Sequence, residues 1–176
     1  MVSDTQHPPL APSPWILRFA GLVPPGGTVL DLAAGDGRHT TVFLDLGHPV
    51  TAIDRKTTAL TALGRPNLEI IAADLEDAGP WPFGRRRFAG VVVTNYLHRP
   101  LLPAIIAAVA PGGVLLYETF AAGNERFGRP VSPEHLLQPG ELLDAVRGTL
   151  RVAAYENIEL SAPKRSMVQR IAAIAD

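Results

Sequence analysis

The chain has 176 residues, a formal net charge of -1, 47 % hydrophobic and 19 % charged residues, and no cysteine. This length and composition suit one globular domain with a core of its own, and the missing cysteine excludes disulfide frameworks, thiolate zinc sites and thiol catalysis. The balanced charge lacks the basic surface of a nucleic-acid-binding protein, and no apolar run reaches the roughly 18 residues that a membrane-spanning helix needs.

The Pro-rich start of the chain has no basic segment before an apolar core, so we interpret residues 1–12 as a loose N-terminal arm and not as a secretory signal. Ser13 followed by Pro14 is typical of a helix N-terminus. The spacing of Trp15, Phe19 and Leu22 then predicts the buried face of a helix. We expect residues 1–176 to form a single domain.

Strands and helices are predicted to alternate along the rest of the chain. Apolar runs predict strands at 28–33, 49–54, 68–74, 88–95 and 112–120. Helical spacing predicts helices at 36–47, 56–63 and 100–110, the first of them with Val42, Phe43 and Leu46 on one face. Unbroken Val/Ile/Leu runs are typical of parallel strands that are buried on both faces.

The last two runs, 150–160 and 166–175, are joined by a short loop without a helix, which allows only an antiparallel hairpin. The predicted fold is therefore α/β. It is a Rossmann-like, doubly wound seven-stranded sheet, mostly parallel, with a C-terminal antiparallel hairpin.

The turn after the first strand, in "TVLDLAAGDGRHT", carries the main functional signal. Gly35 and Gly37 allow a backbone to approach a ligand at the carboxyl end of the sheet. A dinucleotide site is disfavoured because Thr40 replaces the third glycine and Asp31 would repel a diphosphate. A P-loop is excluded because no Lys-Ser/Thr pair follows the glycines. A site for S-adenosylmethionine, which carries an ammonium and a sulfonium but no phosphate, suits the carboxylate.

"VLDLAAGDGR" resembles motif I of the class I S-adenosylmethionine-dependent methyltransferases, and later segments resemble the family's other motifs. Asp54 ends the second predicted strand, 17 residues after Gly37, where the family holds the ribose hydroxyls. Asp74 and Leu75 follow the third strand, where the family contacts adenine. "VVVTNYLH" and "APGGVLLYET" resemble the fourth and fifth strands, and the compact tellurite-resistance enzymes are a weaker match. The resemblance implies that S-adenosyl-L-methionine is the cofactor and that it is bound by Asp31, Ala33, Gly35, Gly37, Asp54, Arg55, Asp74, Leu75 and Asn95.

Several of these residues also have purely structural interpretations. Asp54 suits the N-cap of the following helix, Asp74 an ordinary loop, and Asp31 a buried acid that fixes the glycine loop. Ala33 stands where the family often has glycine, which is compatible with the resemblance if its φ is negative.

"TNYLHRP" follows the fourth predicted strand, near the expected point of methyl transfer. His98 and Tyr96 are the candidate catalytic residues, since a histidine has a pKa suited to a general base near neutrality. The alternative is that His98 only packs or caps the next helix. The segment lacks the proline pair of enzymes that methylate nucleic-acid adenine or glutamine amides.

The segment 118–142 is long for a connection between strand and helix, and we interpret it as a lid or substrate wall, with an ordinary surface loop as the alternative. Its candidate substrate residues are Glu118, Phe120, Asn124, Arg126 and Phe127.

The sequence thus predicts a cytoplasmic methyltransferase that acts on a small-molecule or metalloid acceptor as a monomer or homodimer, without a metal, nucleic acid or membrane. One alternative is a protein of the same fold that binds the cofactor without catalysis and acts as a partner subunit. A nucleotide-linked oxidoreductase is the third interpretation.

Overall fold

A computed structural model describes residues 10–77 and 79–176, so residues 1–9 of the predicted arm lie outside the described part. Seven strands form one sheet in the order β3-β2-β1-β4-β5-β7-β6. Strands β1 to β5 are parallel and β7 runs antiparallel to both β5 and β6. The strands are β1 Val29–Leu32, β2 Val50–Asp54, β3 Leu68–Ala72, β4 Phe88–Thr94, β5 Val109–Phe120, β6 Arg151–Leu160 and β7 Ser166–Ile174. The predicted mostly parallel sheet with a terminal antiparallel hairpin is confirmed.

In the described part of the chain, five short α-helices flank the sheet, one before β1 and four between strands. They are α1 Pro14–Phe19, α2 Arg38–Asp45, α3 Thr58–Ala62, α4 Leu102–Ala107 and α5 Glu141–Val146. The first four agree with predicted helices, each shorter than expected, and α5 lies beyond them at the end of the long loop. Within the described residues no helix has the length and apolar character needed to cross a bilayer.

Helix α1 begins as predicted. The side chain of Ser13 accepts a hydrogen bond from the backbone N–H of Trp15 at 3.1 Å, and Pro14 occupies the first turn, where its missing N–H leaves no bond unmade. The predicted face is only partly correct, because Trp15 is buried and Phe19 is partly buried, whereas Leu22, which lies beyond α1, is 40 % exposed.

Helix α2 also packs differently from its predicted face. Its buried residues are His39, Thr40, Phe43 and Leu44, whereas Leu46 is 55 % exposed. Two polar residues therefore occupy the sheet-facing stripe at the spacing that apolar residues usually take. Each of the two makes a hydrogen bond at the functional edge of the sheet, described below.

Parallel strands place all their carboxyl ends at one edge of the sheet, and the connections after β1, β2, β3, β4 and β5 meet there. The central strands are nearly fully buried on both faces, whereas β6, at the sheet edge, is half-exposed. The sheet thus forms a rigid support, and the loops at its carboxyl edge are available for binding.

Candidate active site

The turn after β1 has a left-handed backbone at three alternate residues. The φ angles are +55° at Ala33, +56° at Gly35 and +79° at Gly37, and Gly37 is the N-cap of α2. The condition under which alanine suits this position, a negative φ, is not met at Ala33. An alanine with this φ carries a local strain of order 1–2 kcal/mol, which the buried strand before it and the helix after it have to hold.

The two glycines have different surroundings. A β-carbon on Gly35 would meet no atom within 4 Å, whereas one on Gly37 would lie 2.8 Å from a methyl group of Leu63 and 2.9 Å from one of Leu60. A side chain at Gly37 would therefore displace the ends of the Leu60 and Leu63 side chains, and the left-handed φ would strain it further. Gly35 faces open space at the edge of the sheet, as a position in contact with a ligand would.

Asp31 is buried at the end of β1 and accepts a hydrogen bond from the hydroxyl of Thr40 at 2.6 Å. Burial raises the pKa of its carboxyl to about 6, although the bonds from Thr40 and the charge of Arg38 act in the opposite direction. This contact supports the structural interpretation of Asp31, in which the acid ties strand β1 to the first turn of α2. A ligand contact remains a prediction.

Asp54, the last residue of β2, joins two loops. One carboxylate oxygen accepts from the backbone N–H of Gly35 at 2.8 Å, and the other from that of Lys56 at 2.9 Å. It does not cap the following helix, because α3 begins at Thr58 with Thr57 as its N-cap. Asp54 therefore lies directly beside the glycine turn, where the ribose role was predicted.

Asp74 lies two residues beyond β3 and accepts a hydrogen bond from the backbone N–H of Glu76 at 2.9 Å. Its other oxygen is 3.6 Å from the guanidinium of Arg55, so these two predicted cofactor residues are in contact. Leu75 is buried in the main core cluster. Together the ends of β1, β2 and β3 bring three carboxylates to one edge of the sheet.

Asn95 directly follows β4, with an exposed side chain and a φ of +54°. The next residue, Tyr96, has a buried hydroxyl for which the described residues offer no hydrogen-bond partner. Burial, with the nearby charges of Glu76 and Asp74, raises the pKa of Tyr96 to about 12. Such a phenol stays protonated at neutral pH, so it can donate a hydrogen bond but is poorly suited to accept a proton.

A buried polar network that the sequence did not predict connects the N-terminal segment to the sheet. The backbone N–H of Ser13 donates to Nε2 of His39 at 3.0 Å, and its hydroxyl donates to Glu118 at 2.7 Å. The other oxygen of Glu118 is 3.1 Å from the guanidinium of Arg170, and Thr94 Oγ1 lies 3.2 Å from Nδ1 of His39. This network holds the chain before α1 across the ends of β4 and β5.

A cavity of about 480 Å³ opens beside this network. Its walls come from three segments, which are residues 10–14, the loop after β5, and the β6–β7 connection. The residues that line it are Leu10, Ala11, Pro12, Ser13, Pro14, Arg38, Asn95, Glu118, Phe120, Asn124, Phe127, Gly128, Arg129, Leu160, Ala162, Pro163, Lys164, Arg165, Ser166, Val168 and Arg170. The volume is in the range of small-molecule sites.

Four of the five predicted substrate residues, all except Arg126, line this cavity. The side-chain N–H₂ of Asn124 donates to the carbonyls of Gly128 and Pro130, and its oxygen accepts from the backbone of Met167, so Asn124 fixes the loop to β7. Arg126 donates to the carbonyl of Gly123 at 3.0 Å. The predicted catalytic residues His98 and Tyr96 are not part of the cavity wall.

No family model matches the chain. Demethylmenaquinone methyltransferase from Renibacterium salmoninarum is 31 % identical over 123 residues, which are 65 % of this chain and 50 % of that protein. The chain thus spans about half the length of this curated relative.

Solved structures of S-adenosylmethionine-dependent enzymes share the fold. The crystal structure of TehB from Haemophilus influenzae superposes with a TM-score of 0.71 at 19 % identity, covering 92 % of this chain and 61 % of that one. The chain has the class I S-adenosylmethionine-dependent methyltransferase fold. Another such structure is 1,6-didemethyltoxoflavin-N1-methyltransferase from Burkholderia thailandensis, with bound 1,6-didemethyltoxoflavin and S-adenosylhomocysteine. It has a TM-score of 0.67 and 20 % identity, and the match covers 92 % of this chain and 76 % of that one.

These comparisons confirm the predicted fold and the resemblance to this superfamily of methyltransferases. They contain no test of the individual site residues. The chain's own geometry does show that the elements of the methyltransferase fold gather the predicted acids and the glycine turn at the carboxyl edge, next to the cavity. Among the described residues, no three His, Asp or Glu side chains form a group suited to a metal ion.

The buried histidine gives a testable pH dependence. Burial, helped by the charge of Arg38, lowers the pKa of His39 to about 3, so the folded protein keeps it neutral while the unfolded chain binds a proton below about pH 6.5. The stability that this residue contributes is therefore complete above pH 6.5 and is lost as the pH falls towards 3. Between pH 7 and pH 5 we expect wild type to lose about 2 kcal/mol relative to His39→Gln, measured by urea unfolding. Parallel pH profiles for the two proteins would contradict this assignment.

Proposed function

We propose that the chain is an S-adenosylmethionine-dependent methyltransferase acting on a small-molecule acceptor. The observation that carries the proposal is the meeting of two features at one edge of the sheet. A glycine turn with three neighbouring carboxylates lies at the ends of β1 to β3, and a cavity of small-molecule size opens at the ends of β4 and β5. The solved 1,6-didemethyltoxoflavin-N1-methyltransferase, with 1,6-didemethyltoxoflavin and S-adenosylhomocysteine bound together, supports separate neighbouring sites for acceptor and cofactor.

The residues present fit the cofactor. Gly35 leaves open space where a ligand would approach the backbone, and Asp54 beside it is an acceptor for ribose hydroxyls. Asp74 is available just after β3 for the adenine amino group. The buried hydroxyl of Tyr96, near Asp74, has no hydrogen-bond partner among the described residues and can donate to a ligand. Asp31 would add negative charge beneath the ammonium and sulfonium groups.

When bound, S-adenosylmethionine supplies a methyl group that its sulfonium already activates. The protein's own residues then act mainly by orientation, which contributes strongly when reacting atoms are held about 3 Å apart in line. Asn95 directly follows β4, Glu118 lies two residues before the end of β5, and both line the cavity, so they are positioned to orient an acceptor. The Ser13–His39–Glu118 network fixes residues 10–14 as one wall of that cavity and helps to exclude water.

The acceptor requires no side-chain base if it is already a nucleophile. His98 lies outside the cavity wall and Tyr96 has a raised pKa, so the proposed reaction uses neither as a base. The walls of the cavity include Phe120, Phe127 and Val168, which favours an organic acceptor over a metalloid oxyanion.

The test has two steps. Calorimetry with S-adenosylmethionine should show binding at one site per chain, and incubation with a metabolite panel should yield S-adenosylhomocysteine with at least one acceptor. Binding without turnover on any acceptor would favour the alternative of a non-catalytic partner subunit. A chain that fails to bind S-adenosylmethionine at all would contradict the proposal.

Replacing Phe127 by alanine should act on the acceptor and not on the cofactor. The ring forms part of the cavity wall, and losing a partly buried aromatic contact is worth roughly 1–2 kcal/mol, or about 5- to 30-fold in kcat/KM for the acceptor. The affinity for S-adenosylmethionine should change by less than about two-fold.

Arg126→Ala is the matched comparison for Phe127→Ala. Its guanidinium lies 5.0 Å from the centre of the Phe127 ring, but the residue is not part of the cavity wall. A smaller loss of acceptor kcat/KM is therefore expected for this variant. Equal losses in both variants, or a loss of cofactor affinity in Phe127→Ala, would show that the loop does not act as an acceptor wall.

A further inference from the structure

The cavity concentrates positive charge. Of the 16 lysines and arginines in the chain, five line this cavity, whereas Glu118 is the one aspartate or glutamate of the described residues that lines it. The five cations are Arg38, Arg129, Lys164, Arg165 and Arg170. Because the whole chain has a net charge of -1, this excess is local to the cavity, and a site with one sign of charge raises the local concentration of the opposite sign.

Two of these cations already have carboxylate partners. Arg170 contacts Glu118 at 3.1 Å and Glu156 at 2.5 Å, and Arg165 contacts Glu159 at 2.5 Å. The other three have no carboxylate within 4.0 Å among the residues that the structure describes. They are Arg38, Arg129 and Lys164.

Lys164 and Arg129 come from two different segments of the cavity wall, which meet beside Gly128. Lys164 is in the β6–β7 connection, and its Nζ atom lies 3.1 Å from the point where a β-carbon on Gly128 would stand. Gly128 directly precedes Arg129, so the ammonium of Lys164 reaches across to the loop after β5. Arg38 directly follows the glycine turn, on the side of the proposed cofactor site.

The rest of the cavity wall is largely apolar. Phe120, Phe127, Leu160, Pro163 and Val168 contribute to it. The guanidinium of Arg165 lies 4.8 Å from the centre of the Phe127 ring, so its charge is held against the aromatic wall. A cationic acceptor, such as a polyamine, would be repelled by this arrangement, and a fully hydrated inorganic anion would leave the apolar surface uncovered.

We propose that the acceptor is a small organic anion with an apolar body, whose negative group is held by Lys164 and Arg129. This inference rests on the proposed function, because it names the class of molecule that the methyltransferase site takes. The apolar body contacts the aromatic wall, and the part to be methylated points towards Asn95 and Glu118. Lys164 and Arg129 are thus specificity-determining residues for the acceptor.

A matched pair of fluorescent probes tests this without knowledge of the acceptor. Anilinonaphthalene sulfonate carries an apolar ring system with one negative charge, and phenylnaphthylamine is its uncharged parent. The sulfonate should bind at one site per chain, about 10-fold or more tighter than the parent. Lys164→Gln and Arg129→Gln should each weaken sulfonate binding about 5- to 20-fold and leave binding of the parent nearly unchanged.

Arg85→Gln is the control, since Arg85 is also exposed and lies on the loop before β4, away from this cavity. It should bind both probes like wild type. Sulfonate binding that does not respond to Lys164→Gln and Arg129→Gln, or that falls equally in Arg85→Gln, would overturn the inference.

Calorimetry with S-adenosylmethionine on the same proteins separates this inference from the proposed function. Wild-type cofactor affinity in Lys164→Gln together with lost sulfonate binding supports both. Normal cofactor binding with no preference for the charged probe overturns the acceptor class alone. Charge-selective probe binding in a chain that never binds S-adenosylmethionine overturns the methyltransferase function but leaves an anion site.

Discussion

Replacing Asp54 by alanine is expected to weaken S-adenosylmethionine binding about 30- to 1000-fold. The variant removes a charged acceptor of two ribose hydrogen bonds, together worth roughly 2–4 kcal/mol. It also frees the backbone N–H of Gly35, which Asp54 holds at 2.8 Å, so the glycine turn loses an anchor. Titration calorimetry of the variant against wild type measures the combined effect.

Two further variants separate the causes. Asp54→Asn keeps an oxygen for Gly35 but loses the negative charge and one acceptor, so its affinity should fall between wild type and Asp54→Ala. Asp45→Ala removes an exposed acid from α2 and should bind normally. Because the groups that Asp54→Ala leaves unpaired are near solvent, the free energy of unfolding should drop by less than about 1 kcal/mol. Unchanged affinity in Asp54→Ala would exclude the ribose role.

The sheet could be predicted because its signals are local. The central strands are rich in Val, Ile and Leu, glycine or proline occurs between successive strands, and the acids stand near the strand ends. Since parallel strands end at the same edge, the position of Asp31 and Asp54 in the sequence already predicts that they are neighbours. In the structure, Asp54 accepts a hydrogen bond from Gly35, in the turn directly after β1.

The walls of the cavity could not be predicted in the same way, because they depend on contacts between distant segments. Ser13 reaches Glu118 across 105 positions of sequence, and the charge of Lys164 is brought to Gly128 by the β6–β7 hairpin. The spacing of apolar residues along the chain does not predict contacts between such distant segments. His39 was missed for a related reason, since a polar residue on the buried face of α2 makes that face look solvent-exposed.

At Ala33 the motif predicts the position of the residue in the turn but not its backbone conformation. The resemblance places this residue within the glycine turn, where alanine is compatible only with a negative φ because it normally avoids the left-handed region. Its φ of +55° is imposed by the turn that connects β1 to α2, with Gly35 and Gly37 in the same region. Replacement of Ala33 by glycine should therefore relieve strain and raise stability by about 1 kcal/mol, measured by thermal or urea unfolding.

Gly35→Val is expected to abolish measurable S-adenosylmethionine binding while the sheet remains folded. A β-carbon at Gly35 meets no protein atom within 4 Å, so the new side chain enters only the space proposed for the cofactor. The left-handed φ of +56° adds a strain of roughly 1–2 kcal/mol, which lowers the unfolding temperature without unfolding the protein.

Gly37→Ala is the matched comparison, because it has the same backbone conformation but its β-carbon would press against Leu60 and Leu63 in the core. Circular dichroism and calorimetry on both variants should therefore give opposite patterns. Gly35→Val loses affinity far more than stability, whereas Gly37→Ala loses stability first, because the ends of the Leu60 and Leu63 side chains have to move to admit the methyl group. Normal cofactor affinity in folded Gly35→Val would mean that this turn is not where the cofactor binds, and the acids around it would then be structural.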